Sequence, residues 1–334
     1  MDAYESILDI LSRHADGVPQ SFLYRALPFS KSYISIVLRE LERRGVVHRV
    51  RIGNTYIVRL AKPFTKSFHG KRLVLGIVWS SEYLFLGHFA KMLRDSLSMD
   101  LHVKVYPNAV SATLSILMGD VDAVLSPLAT QLYLYPISKS FKIVGGGAIG
   151  GGFIYEIGDG AEGVVASSEL STMDLCRAVA SEKRLINEES VLYFTSSQQA
   201  IEIARGRGAR NIVAWHPITY EIEKMGGKRI EECIEFEETK HCCTLAISGR
   251  VPPEAVEKIV TIYRQSIDAF KREPSRFLDW YSTLTGIDVA LLRDALRIYK
   301  YDGELDYKSI DKLLKFINMK VPHSQKFEDA FYRI

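Results

Sequence analysis

The chain lacks most of the features that would assign it at once. No apolar stretch approaches the roughly 18–20 residues that a membrane-spanning helix needs. The first ten residues, MDAYESILDI, carry acids where a secretory signal has a basic patch and an apolar block, so a cytoplasmic location and no membrane partner are expected. Four cysteines (Cys176, Cys233, Cys242, Cys243) in 334 residues are too few for a disulfide scaffold and read as free, mostly buried thiols. A formal net charge of +3 is too small to point to a partner for the whole chain. G-x-S-x-G, P-loop and H-E-x-x-H patterns are all missing, which removes the signatures of three common hydrolytic chemistries.

What is present is a globular composition, 47% apolar and 25% charged, over a length that predicts two or three folding units. In the first sixty-five residues, Ile7, Leu8 and Leu11 share a helical face, and Phe22, Leu23 and Leu27 form a second short apolar set. Ser30 is placed to cap a third helix that Gly45 stops, with Ile34, Val37, Leu38 and Leu41 as its stripe. VVHRVRI, the turn pair Gly53-Asn54 and TYIVRL then read as a hairpin. Between residues 39 and 62, Arg39, Arg43, Arg44, Arg49, Arg51, Arg59 and Lys62 stand against only Glu40 and Glu42, a local basic excess.

Three helices followed by a basic hairpin is the order of a winged helix-turn-helix, and SKSYISIVLRELERRGVVHRVRIGNTYIV resembles the recognition helix and wing of MarR-like regulators. A helix in the major groove needs short polar residues at its N-terminal end, and arginines further along to meet phosphates. Lys31, Ser32, Tyr33 and Ser35 are the base-edge candidates; Arg39, Arg43, Arg49, Arg51 and Asn54 are the backbone candidates. Double-stranded DNA is the partner this implies, bound by a homodimer. The plainer reading is a small helical module whose basic face is solvated.

Residues 66–72 read as a linker. Beyond it, apolar strands alternate with helical patterns, which predicts a mostly parallel sheet covered by helices, with ligands at the C-terminal strand ends. KRLVLGIVWSSEYLFLGHFAKML, ATLSILMGDVDAVLSPLATQLYL, FKIVGGGAIGGGF and NIVAWHPITYEIEKMGG follow the order of type 2 periplasmic-binding folds. The nitrate, sulfonate and thiamine-pyrimidine binding proteins are the branch they resemble.

That resemblance implies an α/β domain of two lobes over residues 73–280, lobe 1 about 73–155 plus 245–280 and lobe 2 about 160–242. Residues 281–334 would be C-terminal helices packed on the lobes or at a dimer contact. The implied cleft contacts are Ser80, Ser81 and Glu82 after the first strand, and Ser126 and Pro127 after the third. The second lobe would add Thr195, Ser196 and Ser197 at a helix start, with Trp215 and His216 beyond another strand. Hydroxyls and helix N-termini suit an anionic ligand; Glu82 suits one with a donor or positive group. The effector is therefore expected to be an anionic or thiamine-pyrimidine-like small molecule.

Gly145, Gly147 and Gly150 in FKIVGGGAIGGGF have the spacing of a dinucleotide loop, but the following GGFIYEIGDG carries no helical stripe, so no nucleotide cofactor is expected. The glycines instead suggest close backbone approach at a lobe hinge, with Gly146 and Gly147 as ligand contacts. HCC at 241–243 reads as no metal site, because consecutive strand residues face opposite ways. Pyrimidine synthases of thiamine biosynthesis carry a longer cysteine-rich motif at the corresponding place; two cysteines do not reproduce it, so no catalysis is expected. The combined expectation is a ligand-responsive, DNA-binding transcription regulator. Its alternatives are a thiamine-pyrimidine-synthase-like enzyme or a non-catalytic small-molecule binding protein.

Overall fold

Ile7, Leu11, Leu23, Ile34, Leu38 and Leu41, spaced at helical intervals, are buried together with Val47 and Val58 in one small core. They belong to α1 (Ala3–Ser12), α2 (Gln20–Ala26) and α3 (Lys31–Arg43), with the short β1 (Val18–Pro19) between the first two. β2 (Val47–Ile52) and β3 (Thr55–Leu60) form an antiparallel hairpin, and β1 pairs with β3 on its other side. The computed structural model describes residues 3–12, 14, 17–43, 46–52, 55–60, 70–320 and 330–332. The expected helix stop at Gly45, the Gly53-Asn54 turn, the basic residues Arg44 and Lys62 and most of the 66–72 linker lie outside them. The chain divides into two units, Met1–Ser67 and Phe68–Ile334.

The second unit opens with β4 (Arg72–Val78), α4 (Leu86–Leu97), β5 (Asp100–Tyr106), α5 (Ala109–Leu117), β6 (Ala123–Pro127) and α6 (Leu128–Ser138). Then come β7 (Phe141–Gly145), β8 (Gly147–Gly150), β9 (Gly152–Glu156), β10 (Val164–Ser168), α7 (Thr172–Glu182) and β11 (Ser190–Phe194). α8 (Ser197–Arg205), β12 (Asn211–Trp215), α9 (Ile218–Lys224), β13 (Lys228–Glu232) and β14 (Cys243–Ser248) follow. α10 (Pro253–Arg272), α11 (Leu278–Thr285), α12 (Val289–Ile298), β15 (Tyr299–Asp302) and α13 (Tyr307–Lys320) complete it.

Two five-stranded sheets result, β5-β4-β6-β14-β7 and β11-β10-β12-β9-β13. In each, four strands run one way and one runs against them: β14 in the first sheet, β9 in the second. Both reversed strands sit where the chain has just crossed from the other sheet, so the crossovers impose the reversal. This is the mixed α/β, periplasmic-binding-protein-like fold. The strands buried on both faces read as continuous apolar runs, β6 and β12 being buried throughout.

Three expectations are corrected. β9 belongs to the second sheet, so the first lobe ends before Gly152 rather than near residue 155. The C-terminal region contains a strand as well as helices: β15 pairs antiparallel with β8. Four alternating residues, YKYD, are too short to stand out from the helical stripes around them. Finally, Cys176 and Cys233 form a disulfide, so they are not free thiols; α7 packs beside the end of β13 and brings their Cα atoms to 5.5 Å across 57 residues.

Candidate functional site

The C-terminal ends of β4, β6, β10 and β12 converge between the two sheets on a cavity of about 30 Å³. The first lobe lines it with Val78, Glu82, Ala109, Pro127, Cys242 and Cys243. The second lobe supplies Ser168, Ser171, Thr172, Met173 and Trp215, while the linking segments add Gly150 and Tyr299. No lysine, arginine or histidine is among these residues. The volume holds one or two waters or a bare ion, whereas sites for organic ligands run to roughly 300–1,000 Å³.

The lobes are closed on each other by hydrogen bonds that cross the cleft. The Ser81 hydroxyl lies 2.6 Å from His216 Nδ1 and also donates to the His216 carbonyl, 3.0 Å away. Trp215 Nε1 donates to the Trp79 carbonyl at 3.1 Å, and Asn108 Nδ2 to the Thr195 carbonyl at 2.8 Å. Thr130 Oγ1 reaches the carbonyl of Leu170, and Thr172 Oγ1 that of Cys242. The peptide between His216 and Pro217 is cis.

At the first-lobe wall, the Cys243 thiol donates to Glu82 Oε1 at 3.2 Å and accepts from the Tyr83 hydroxyl at 3.1 Å. Cys242 Sγ is 3.9 Å from Cys243 Sγ. Burial pushes the Glu82 carboxyl above the ordinary carboxylate range and the Cys243 thiol well above its own, so the thiol is held neutral at neutral pH. Desolvation lowers His216 to about 4 against the opposing charges of Asp294 and Glu223, leaving a neutral imidazole.

The cysteine geometry corrects the expectation that these side chains diverge. Cys242 precedes β14 and is free of its alternation, so both sulfurs turn to one side, where Glu82 joins them. His241 stays apart, its Nε2 accepting from the Asp306 amide at 2.9 Å. Among the described residues, the three cleft groups lie within 4.8 Å of one another.

Of the twelve cleft residues expected from sequence, Glu82, Pro127 and Trp215 line the cavity. Ser80 and Ser81 are buried behind it, Ser80 Oγ accepting from the Glu82 amide. Ser126 is tied to Thr113 and Gln131 in a buried network, and His216 to Ser81. Thr195 is exposed; Ser196 caps α8 through the Gln199 amide, with Ser197 as the first residue of that helix. Gly146 and Gly147 face backbone rather than cavity. A Cβ on Gly146 would stand 2.2 Å from the Glu304 carbonyl oxygen, and one on Gly147 2.7 Å from that of Cys243. The glycines admit β14 and β15, which corrects their reading as ligand contacts. Sequence reasoning missed Ser168, Ser171, Thr172, Met173 and Tyr299. The polar pair ending EGVVASS was a usable signal for Ser168, and Ser171 as the cap of α7 was another.

In the first unit, Lys31, Ser32, Tyr33 and Arg39 lie exposed on α3, and Arg51 on β2. Ser35 is turned to the Tyr24 hydroxyl at 2.8 Å. Arg43 pairs with Glu40 and Arg49 with Glu42, so the few acids present occupy two of the expected phosphate contacts. Asn54 lies outside the described residues.

Residues 1–61 match a family described as a domain of unknown function (DUF7343). A search of curated protein sequences gives no match. Among solved structures, the chain is similar to the ligand-binding component of an ABC-type import system from Staphylococcus aureus with zinc bound. The TM-score is 0.68 at 14% identity, covering 78% of this chain and 96% of that one. It is similar to the alkanesulfonate-binding protein SsuA from Xanthomonas axonopodis pv. citri bound to MOPS, with TM-score 0.65, 12% identity, and coverage of 79% and 99%. The periplasmic nitrate-binding protein NrtA from Synechocystis PCC 6803 matches with TM-score 0.55, 11% identity, and coverage of 67% and 69%.

These likenesses correct the expectation of a DNA-binding transcription regulator. The matched structures are solute-binding components whose fold accounts for about four-fifths of the chain, and the family matched by residues 1–61 is described only as a domain of unknown function. Neither a DNA partner nor a homodimer receives support.

Proposed function

We propose that the second unit is a non-catalytic binding module that captures a small molecule or ion by closing two lobes over it. The observation that carries this reading is the cavity at four strand ends between the sheets, bracketed by hydrogen bonds that cross from lobe to lobe. A cavity of this size in the closed form requires the lobes to part for entry and re-form these bonds on capture. Alkanesulfonate and nitrate in the names of similar structures support a small ligand, but the lining here offers no basic side chain to a strong anion. The donor-bearing or cationic ligand suggested by Glu82 fits better. The synthase-like alternative has little to work with: no lysine lines the cavity for imine chemistry, and His216 is committed to Ser81.

For the first unit, the order α1, α2, α3 and the β2–β3 hairpin supports a winged helix-turn-helix as a fold.

Small-angle X-ray scattering of the full chain, with and without a metabolite and metal-ion panel, tests the reading. A captured ligand should lower the radius of gyration and change the emission of Trp215, with the emission change lost in Trp215→Phe. A panel that stabilises the chain thermally without changing its dimensions would overturn closure.

A further inference from the structure

Resting on the cleft reading above, we propose that Glu82, Cys242 and Cys243 form a metal site for one thiophilic divalent cation of the zinc type, with a fourth position open to the cavity. Three donor side chains from two distant places in the sequence, all buried, meet within 4.8 Å. A tetrahedral ion with metal–sulfur bonds of about 2.3 Å and metal–oxygen bonds of about 2.0–2.2 Å holds its sulfurs about 3.8 Å apart and sulfur and oxygen about 3.5 Å apart. The sulfurs stand at 3.9 Å and Cys243 Sγ is 3.2 Å from Glu82 Oε1, each within a few tenths of an ångström of those values, while Cys242 Sγ lies within 4.8 Å of the carboxyl and has the larger distance to close.

The surroundings fit a cation. No basic side chain on the lining competes with a cation for these donors, and a bound cation would pair the charge that the carboxyl and thiols carry once deprotonated. The donors are also oriented from behind: Tyr83 donates to Cys243 Sγ, Ser80 Oγ holds the Glu82 amide, and Thr172 holds the Cys242 carbonyl. The last of these reaches across from the second lobe, so the cysteine segment belongs to the closure contacts. Two sulfurs select against magnesium and calcium, which take oxygen sets. The cavity leaves room for a bare ion and one water in the fourth position. Binding replaces the thiol protons, which leave to solvent as the ion enters.

The test uses the full-length chain with the Cys176–Cys233 disulfide intact and Cys242 and Cys243 as free thiols, stripped by chelator, and Co²⁺ alone. We expect one Co²⁺ per chain, with sulfur-to-cobalt charge-transfer absorption and the intense visible bands of a tetrahedral site, displaced by one equivalent of Zn²⁺. Cys242→Ser and Cys243→Ser should each weaken binding at least 100-fold and reduce the charge-transfer band. Glu82→Gln should weaken it at least 10-fold and keep that band. A wild-type chain that takes up neither ion, or binds Co²⁺ without charge transfer, overturns the site whether or not the variants fold. A Cys243→Ser chain that binds like the wild type overturns it equally. Scattering on the same samples separates the two readings. Compaction by an organic ligand with no metal uptake sinks only the metal site; stoichiometric Co²⁺ with unchanged dimensions upholds the site and sinks closure.

Discussion

The two lobes build their halves of the cleft from different materials. The first brings the chemistry: a carboxyl and two thiols on the loop after β4 and the entry to β14, oriented by Tyr83 and Ser80. The second brings neutral hydroxyls at the capped start of α7, an indole, and the end of a strand. Its polar groups mostly face carbonyls of the first lobe or hold their own helix, as Trp215 does with Trp79 and Ser171 does with the α7 amides. The division suggests that ligand preference is written on one lobe, while the other decides how firmly the cleft shuts. Substitutions can break that contrast at the hinge or sharpen it at the closure contacts.

The largest effect is expected where the chain passes from one lobe to the other. Gly151 has φ +77°, and a Cβ there would lie 1.9 Å from the Tyr299 ring. Gly151→Ala combines left-handed strain of about 1–2 kcal/mol with overpacking of about 1–3 kcal/mol. A loss of about 3 kcal/mol in urea unfolding is the expected outcome. Gly226 has nearly the same backbone, φ +84°, with nothing within 4 Å of where a Cβ would stand, so Gly226→Ala should cost only about 1 kcal/mol. Equal costs would mean that Tyr299 yields and the crossover is loosely packed.

The next effect is set by pH and belongs to the second lobe. His216 is 3% exposed and titrates at about 4, below the ordinary 6.5 of an unfolded chain. Above pH 6.5 the imidazole is neutral in both states and its full contribution is present. As pH falls from 6.5 towards 4 the unfolded chain takes up the proton first, and stability drops by about 1.4 kcal/mol per pH unit, about 3 kcal/mol in all. Burial sets the lower end of that window, and the charges of Asp294 and Glu223, which favour the protonated ring, keep it from falling further. His216→Gln should flatten this part of the pH–stability curve. An unchanged slope would assign the acid loss to other groups.

A smaller change at the facing residue bears on closure directly. Ser81→Ala removes the hydroxyl that joins the lobes and leaves His216 Nδ1 buried without that partner, a cost of about 1–3 kcal/mol to the closed form. The radius of gyration without ligand should rise, and ligand affinity should fall at least five-fold. Affinity equal to the wild type would show that this bond does not hold the lobes.

The pattern of strands and helices in the second unit was legible because buried strands such as AVLSP and NIVAW carry short apolar runs, Ala123–Leu125 and Ile212–Trp215. The strand-end rule likewise found Glu82, Pro127 and Trp215. It overreached at Ser126 and His216, because a hydroxyl or imidazole at a strand end can turn to a neighbour as easily as to a ligand. Cys242 and Cys243 were misread because the alternation argument assumed both on a strand, when only Cys243 is. The disulfide was out of reach, since 57 residues separate partners that only the packing of α7 beside β13 unites. The basic stretch of the first unit misled for a related reason: its few acids, Glu40 and Glu42, are spatially placed to occupy Arg43 and Arg49.

The finest test separates closure from stability at one residue. Asn108 caps α5 by accepting from the Ser111 amide at 2.8 Å, and its amide group reaches across to the Thr195 carbonyl. Asn108→Asp keeps the cap acceptor and places negative charge at a helix N-terminus, a gain of about 0.3–1 kcal/mol in unfolding stability. The same change removes the donor to Thr195 and sets a carboxylate against that carbonyl. Because the contact is exposed to water, closure should weaken by only about 0.5 kcal/mol, roughly two-fold in affinity. The two readouts should therefore move in opposite directions, a higher melting temperature beside weaker capture. Movement in the same direction would show that stability and closure are not separable at this contact, and that the second lobe is more than a cover.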